Sequence, residues 1–105
     1  MVEIAQLHQE LLARVLGENG KAAPELRRNA FDNAGLDEPL RTLVEKVAVR
    51  AYQVTDEDFA AVRAAGLSED QIFEVVVCAA IGQANRQYSG ALAALADATA
   101  EASDA

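Results

Sequence analysis

The chain has 105 residues, of which 51% are hydrophobic, and a formal net charge of −8 at pH 7. This length predicts one domain with one core. Beyond position 50 there are two Lys or Arg against nine Asp or Glu, which excludes the basic surface of a nucleic-acid binder. No apolar run suits a membrane span and residues 1–6 lack a signal-peptide pattern, so we expect a cytoplasmic protein without a membrane partner.

The first half of the sequence predicts three helices. Apolar residues recur at helical spacing over residues 2–16. Pro24 suits the first turn of a second, short helix that reaches about Asn33. Asp37 is the predicted N-cap of a third helix, which runs to about Tyr52.

A fourth helix is predicted over residues 56–65. Thr55 offers a capping hydroxyl, and the carboxylates of Asp56, Glu57 and Asp58 suit the positive end of the helix dipole. The same carboxylates are also of the kind that binds a hard cation. Capping accounts for all of them, and we favour it.

The fifth helix is predicted over residues 69–97. Residues 68–71, Ser-Glu-Asp-Gln, form a capping-box pattern ahead of a segment that is apolar on nearly all sides. Three valines at 75–77 would also suit a buried strand, but the capping box favours a helix. Residues 98–105 lack a large apolar anchor and are predicted to be a flexible tail. The sequence therefore predicts one all-α domain, residues 1–97, of about five helices.

Residues 54–95, VTDEDFAAVRAAGLSEDQIFEVVVCAAIGQANRQYSGALAAL, resemble the core helix pair of the alkylhydroperoxidase D and carboxymuconolactone decarboxylase family. The AAGLSEDQI junction carries most of the likeness. The resemblance implies a helical domain with helices four and five as an antiparallel pair at its centre. It also implies assembly into trimers or larger rings.

The resemblance implies that a CxxC pair and a histidine should precede this junction. Ala51, Val54 and Asp58 stand at those positions. A dithiol cycle needs one thiolate and one resolving thiol, and alanine and valine can supply neither. The family's redox chemistry is therefore not expected here.

Cys78 is the only cysteine, which rules out an intrachain disulfide and any zinc site built on paired cysteines. Its apolar neighbours predict a buried, unreactive side chain, although a lone thiol can also be a peroxidatic nucleophile. The only histidine, His8, has no cysteine or carboxylate at ligand spacing and is predicted to be a surface or rim residue. No cofactor or metal site is predicted.

The remaining candidates for catalysis or ligand binding are Asp58, Arg63, Arg86 and Tyr88. Arg86 interrupts an apolar helix, and if it were buried we would expect it to pair with Asp58 or Glu45. A second histidine for acid–base chemistry near neutral pH is missing.

Three functions follow, in order of preference. The first is a non-redox homo-oligomer that binds a protein partner or builds an assembly, a use that suits a thin, alanine-rich and acidic domain. The second is a cysteine-independent, decarboxylase-like enzyme or small-ligand binder. The third is a weak peroxidase that depends on Cys78 alone.

Overall fold

A computed structural model describes residues 2–17 and 20–104, and all regular structure within these ranges is helical. This confirms the all-α class. No helix among these residues is both long and apolar enough to cross a membrane. The five α-helices are α1 (Val2–Leu16), α2 (Pro24–Asp32), α3 (Leu40–Val49), α4 (Asp56–Ala64) and α5 (Glu69–Asp104), and a short 3-10 helix covers Ala51–Gln53.

Two predicted helix ends differ from the structure. Asp37 is not an N-cap, because α3 begins at Leu40 with Pro39 in the cap position and no side-chain cap bond. Glu38 instead provides the side-chain contacts at the start of α3. Its carboxylate accepts hydrogen bonds from Thr42 Oγ1 and Arg41 Nε. At the other end α3 stops at Val49, short of the predicted Tyr52, and the 3-10 helix follows.

Capping boxes fix the starts of α4 and α5; the one at Ser68 was predicted, and at Thr55 the predicted hydroxyl cap is part of a full capping box. Thr55 N donates to Asp58 Oδ2 at 2.8 Å, and Asp58 N donates back to Thr55 Oγ1 at 3.4 Å. Ser68 N donates to Gln71 Oε1 at 2.9 Å, and Gln71 N donates to Ser68 Oγ at 3.2 Å. Local sequence therefore fixes where both helices begin.

The core lies along the first half of α5. Ala30 and Phe31 of α2 and Val44 of α3 are buried against Val75 and Ala79 of α5. A smaller cluster joins α3, α4 and α5 through Leu43, Val62 and Ile72. The most extensive packing on α5 comes from α2 and then α3 rather than α4. The pair that we predicted at the centre, α4 with α5, is therefore not the main contact of α5.

The second half of α5 extends away from the core. The helix was predicted to end near residue 97 but continues to Asp104, for 36 residues in all. At a rise of about 1.5 Å per residue it accounts for most of the molecule's longest dimension of 58 Å. Residues 86–100 are all exposed. The flexibility of residues 98–105 stays a prediction, and Ala105 lies outside the described residues.

Candidate functional site

The structure does not bring the predicted site residues together. Asp58 and Arg63 lie on α4, whereas Arg86 and Tyr88 lie on α5, and each contacts neighbours of its own. Among the described residues no group of three or more His, Cys, Asp or Glu has the arrangement of a metal site. The active site considered for the enzyme hypothesis is therefore not assembled in the described residues.

Asp58 has a structural role. Both of its carboxylate oxygens lie 3.0 Å from Lys46 Nζ, and the two side chains are mostly buried. The backbone amide of Thr55 and the Lys46 ammonium, in that order, hold the pKa of the Asp58 carboxyl below its usual range. The carboxylate thus stays ionised, caps α4 and ties it to α3. The position that the family resemblance gives to a histidine is filled by this capping residue.

Arg63 and Arg86 are both surface residues with nearby partners. Arg63 Nη2 donates to Glu69 Oε1 at 2.9 Å, in a pair of exposed side chains. Arg86 donates through Nη1 to the backbone oxygen of Phe31 and through Nη2 to Gln83 Oε1 at 2.9 Å. It thereby satisfies a carbonyl in the last turn of α2.

The acid partners of Arg86 were expected only if it were buried, and Arg86 is exposed. Asp58 binds Lys46, and Glu45 binds Arg50 at 3.1 Å. Because Arg86 is exposed, water screens its charge and no carboxylate is required. Its protein partners are the backbone oxygen of Phe31 and the side chain of Gln83.

Tyr88 lies beside the half-buried His8, as the ring centroids are 5.1 Å apart and the planes are tilted by 41°. His8 Nε2 is also 2.8 Å from Asn85 Oδ1. These contacts join α1 to α5. His8 is a rim residue, as predicted, and its ring is engaged in packing and hydrogen bonding.

Cys78 is buried in the core, as predicted. Its Sγ lies 3.8 Å from the backbone oxygen of Val15. Burial raises the pKa of the thiol; the nearby Arg27 opposes that shift and Glu74 adds to it. Since the thiolate is the reactive form, this environment suppresses nucleophilic chemistry.

Arg27 is the polar residue that our sequence reasoning missed. It is 2% exposed. Nε donates a hydrogen bond to the backbone oxygen of Ala22 at 3.1 Å, and Nη1 donates one to the backbone oxygen of Val15 at 3.1 Å. Nη2 is buried and has no hydrogen-bond partner among the described residues. Helical spacing was the available signal, because Arg27 shares a face of α2 with the core residues Ala30 and Phe31.

Glu74 of α5 holds the loop between α1 and α2. Its carboxylate accepts the backbone amides of Lys21 and Ala22 at 2.7 to 2.9 Å. These bonds place the loop against α5 and over Arg27. No local pattern predicts this contact, since the residues that it joins are more than fifty positions apart.

A cavity of about 270 Å³ lies at this junction, between the end of α1, the loop at Gly20 and α5. It combines apolar walls with two guanidinium groups and one carboxylate. We call it the Arg27 cavity, and its walls include Arg14, Arg27, Phe73, Glu74, Val77 and Cys78.

A second feature is an exposed apolar strip on the projecting part of α5, formed by Tyr88, Leu92 and Leu95. These side chains are 46%, 48% and 63% exposed. Their spacing of four and then three residues places them on one face of the helix. We call this set the distal stripe.

In comparisons with known proteins, no family model, curated protein or solved structure matches the chain.

Proposed function

We propose that this chain is a non-redox relative of the alkylhydroperoxidase D and carboxymuconolactone decarboxylase group that acts as a homo-oligomeric binding or assembly protein. Alanine and valine at the resembled thiol positions, and the buried Cys78, support the non-redox part. The observation that carries the assembly part is the distal stripe, which lies on a helix that extends beyond its own core.

The distal stripe has the character of a helix-pairing surface. Spacings of four and three residues match the a and d positions of a heptad, the seam along which two helices pack. The charged residues Arg86 and Asp97 lie on the opposite face of α5 by helical geometry. An apolar face and a charged face on one projecting helix favour contact with a second helix over full exposure to water.

A second copy of the chain is the partner that best fits the distal stripe. Two molecules that each carry a charge of −8 repel one another, so contact is favoured where the surface is uncharged. Residues 87–96 contain no charged residue, and the small side chains of Ala91 and Ala96 flank the stripe. A basic protein partner would have no acidic residue within residues 87–96 to pair with.

Self-association through this stripe is expected to depend on concentration. Three large side chains per copy bury less area than the roughly 1,200–2,000 Å² of a stable interface, even with the exposed Leu7 and Leu11 of α1 added. A reversible equilibrium is therefore the expected behaviour. Sedimentation velocity and light scattering over a hundredfold range of concentration would measure it.

Two neighbouring substitutions test the role of the stripe. Leu92→Glu places a charge in the seam and should shift the equilibrium to the monomer, whereas Ala93→Glu adds the same charge on the other side of the helix and should leave it unchanged. If Leu92→Glu self-associates like the wild type, the stripe is not the interface. If the wild type stays monomeric throughout, the assembly proposal fails.

A second candidate function, small-ligand binding, is favoured by one observation. The Arg27 cavity places a buried guanidinium with an unpartnered nitrogen beside apolar walls. The residues first considered for this function, Asp58, Arg63, Arg86 and Tyr88, do not line that cavity. The third candidate, a Cys78 peroxidase, is disfavoured by the burial and the raised pKa of the thiol.

A further inference from the structure

We propose that the Arg27 cavity binds a small monocarboxylate with a short apolar tail, with the carboxylate on Arg27 and the tail against Phe73 and Val77. This inference goes beyond the assembly function and does not depend on self-association. It rests on the hydrogen bonding of Arg27, on the charges around the cavity, and on its size and walls.

Arg27 forms no ion pair with an acid among the described residues. An arginine that is 98% removed from solvent normally pairs with an acid, since a buried cation is costly when it is not compensated. Here Nε and Nη1 bind two neutral carbonyl oxygens, and Nη2 binds nothing among the described residues. A ligand carboxylate in the cavity would supply the negative charge that the two carbonyl groups do not.

Glu74 does not serve as that partner. Its two oxygens are occupied by the backbone amides of Lys21 and Ala22, and no ion pair joins it to Arg27 within the described part of the chain. Its negative charge still acts on the cavity. The walls thus carry two guanidinium groups, those of Arg14 and Arg27, and one carboxylate. Their summed charge is positive by one unit, which balances a ligand with one negative charge better than a doubly charged phosphate.

The size and walls of the cavity define the rest of the ligand. A volume of about 270 Å³ lies just below the range of sites for drug-sized molecules, which is about 300–1,000 Å³. Apart from the three charged groups, the walls named above are apolar. Phe73 is 69% exposed and stands at the outer side of α5, where it can cover a short hydrocarbon tail.

The test uses the full chain, butyrate as the probe, and nuclear magnetic resonance to follow the backbone amides of Lys21, Ala22 and Cys78 and the Nε–H group of Arg27. Butyrate should shift these signals with a dissociation constant in the millimolar range. The uncharged, equally sized butyramide should bind roughly tenfold more weakly or worse, because it lacks the charge. Inorganic phosphate should not displace butyrate at equal concentration.

Three variants separate the contribution of the charge from that of the apolar walls. Arg27→Met should lose roughly tenfold or more in butyrate affinity, whereas Arg28→Met, at the exposed neighbour that binds Asp32, should lose none. If Arg27→Met does not fold, Phe73→Ala still tests the site. It removes an exposed side chain and should weaken butyrate binding while leaving acetate binding unchanged.

Four results would overturn the proposal. They are the absence of any shift at about 50 mM butyrate, equal affinity for butyramide, displacement by phosphate, and a change in the Arg27 Nε–H signal of the ligand-free protein on Glu18→Gln. The last would mean that an acid of the chain itself, outside the described residues, already neutralises Arg27.

Discussion

Gly82 of α5 lies directly against the backbone of Phe31 in α2. A Cβ atom at position 82 would overlap the Phe31 carbonyl oxygen and come within 2.6 Å of its carbon. Because these atoms belong to the backbone, no side-chain rotation can relieve the clash. Glycine at this position therefore allows the closest approach between the two helices that pack most extensively.

Gly82→Ala is expected to lower the free energy of unfolding by about 1–3 kcal/mol, the range for an overpacked core. Gly90→Ala on the same helix is the matched control. A Cβ at position 90 meets nothing within 4 Å, so the better helix propensity of alanine should add up to about 1 kcal/mol. Urea titrations of both variants measure the two values, and equal effects would contradict the packing that we describe.

Cys78 is expected to be unreactive in the native protein. Its thiol is buried and burial raises its pKa, so labelling by a thiol reagent at pH 8 should be slower than in denaturant by more than about tenfold. Neither the wild type nor Cys78→Ser should consume hydroperoxide with a supplied dithiol. Turnover that disappears in Cys78→Ser would instead make Cys78 a nucleophile.

The Asp58 carboxylate should make stability depend on pH in acid. Its folded pKa lies below its usual range because of the Thr55 amide and Lys46, so its contribution is complete above the unfolded pKa of about 3.9. That contribution is lost as the pH falls through the lower folded pKa. The Tm difference between wild type and Asp58→Asn should therefore be steady from pH 7 to about 5 and shrink below about 4.

Glu57→Gln is the control for this measurement, because Glu57 lies in the same first turn and is exposed. Its Tm should differ less from that of the wild type at pH 7. A Tm difference for Asp58→Asn that is the same at pH 3 and pH 7 would show that the charge of Asp58 does not contribute.

Arg86→Met tests whether a side chain of α5 caps α2. Loss of the bond to the Phe31 carbonyl should lower the free energy of unfolding by about 1 kcal/mol, less than for a buried ion pair. Arg63→Met, which removes an exposed pair with Glu69, should cost at most about 0.5 kcal/mol. A loss of several kcal/mol for Arg86→Met would mean that Arg86 is buried in an ion pair.

The sequence predicted the features that depend on near neighbours. The helix class, the Thr55 cap, the capping box at Ser68 and the burial of Cys78 all follow from spacing and local hydrogen bonding. The start of α3 was missed because Glu38 acts in that turn instead of Asp37. The end of α5 was missed because alanine-rich helix needs no large apolar residue to continue.

The candidate site was harder to predict because its contacts join distant parts of the chain. Arg27 could have been found from the face that it shares with Phe31, but its acceptors at Val15 and Ala22 depend on how α1 and the loop pack. The contact of Glu74 with that loop has no local signature. Arg86 was predicted to pair with an acid only if it were buried, and its contact with a backbone carbonyl of another helix has no local signal.

The projecting half of α5 also affects how the size of this protein is measured. With dimensions of 58 × 29 × 21 Å and a radius of gyration of 16.5 Å, against about 13 Å for a compact chain of this length, a single copy diffuses like a larger sphere. Gel filtration calibrated with globular standards would therefore overstate its mass. A monomer would elute early enough to resemble a small oligomer. Only a mass measurement that does not depend on molecular shape can distinguish an elongated monomer from a true oligomer.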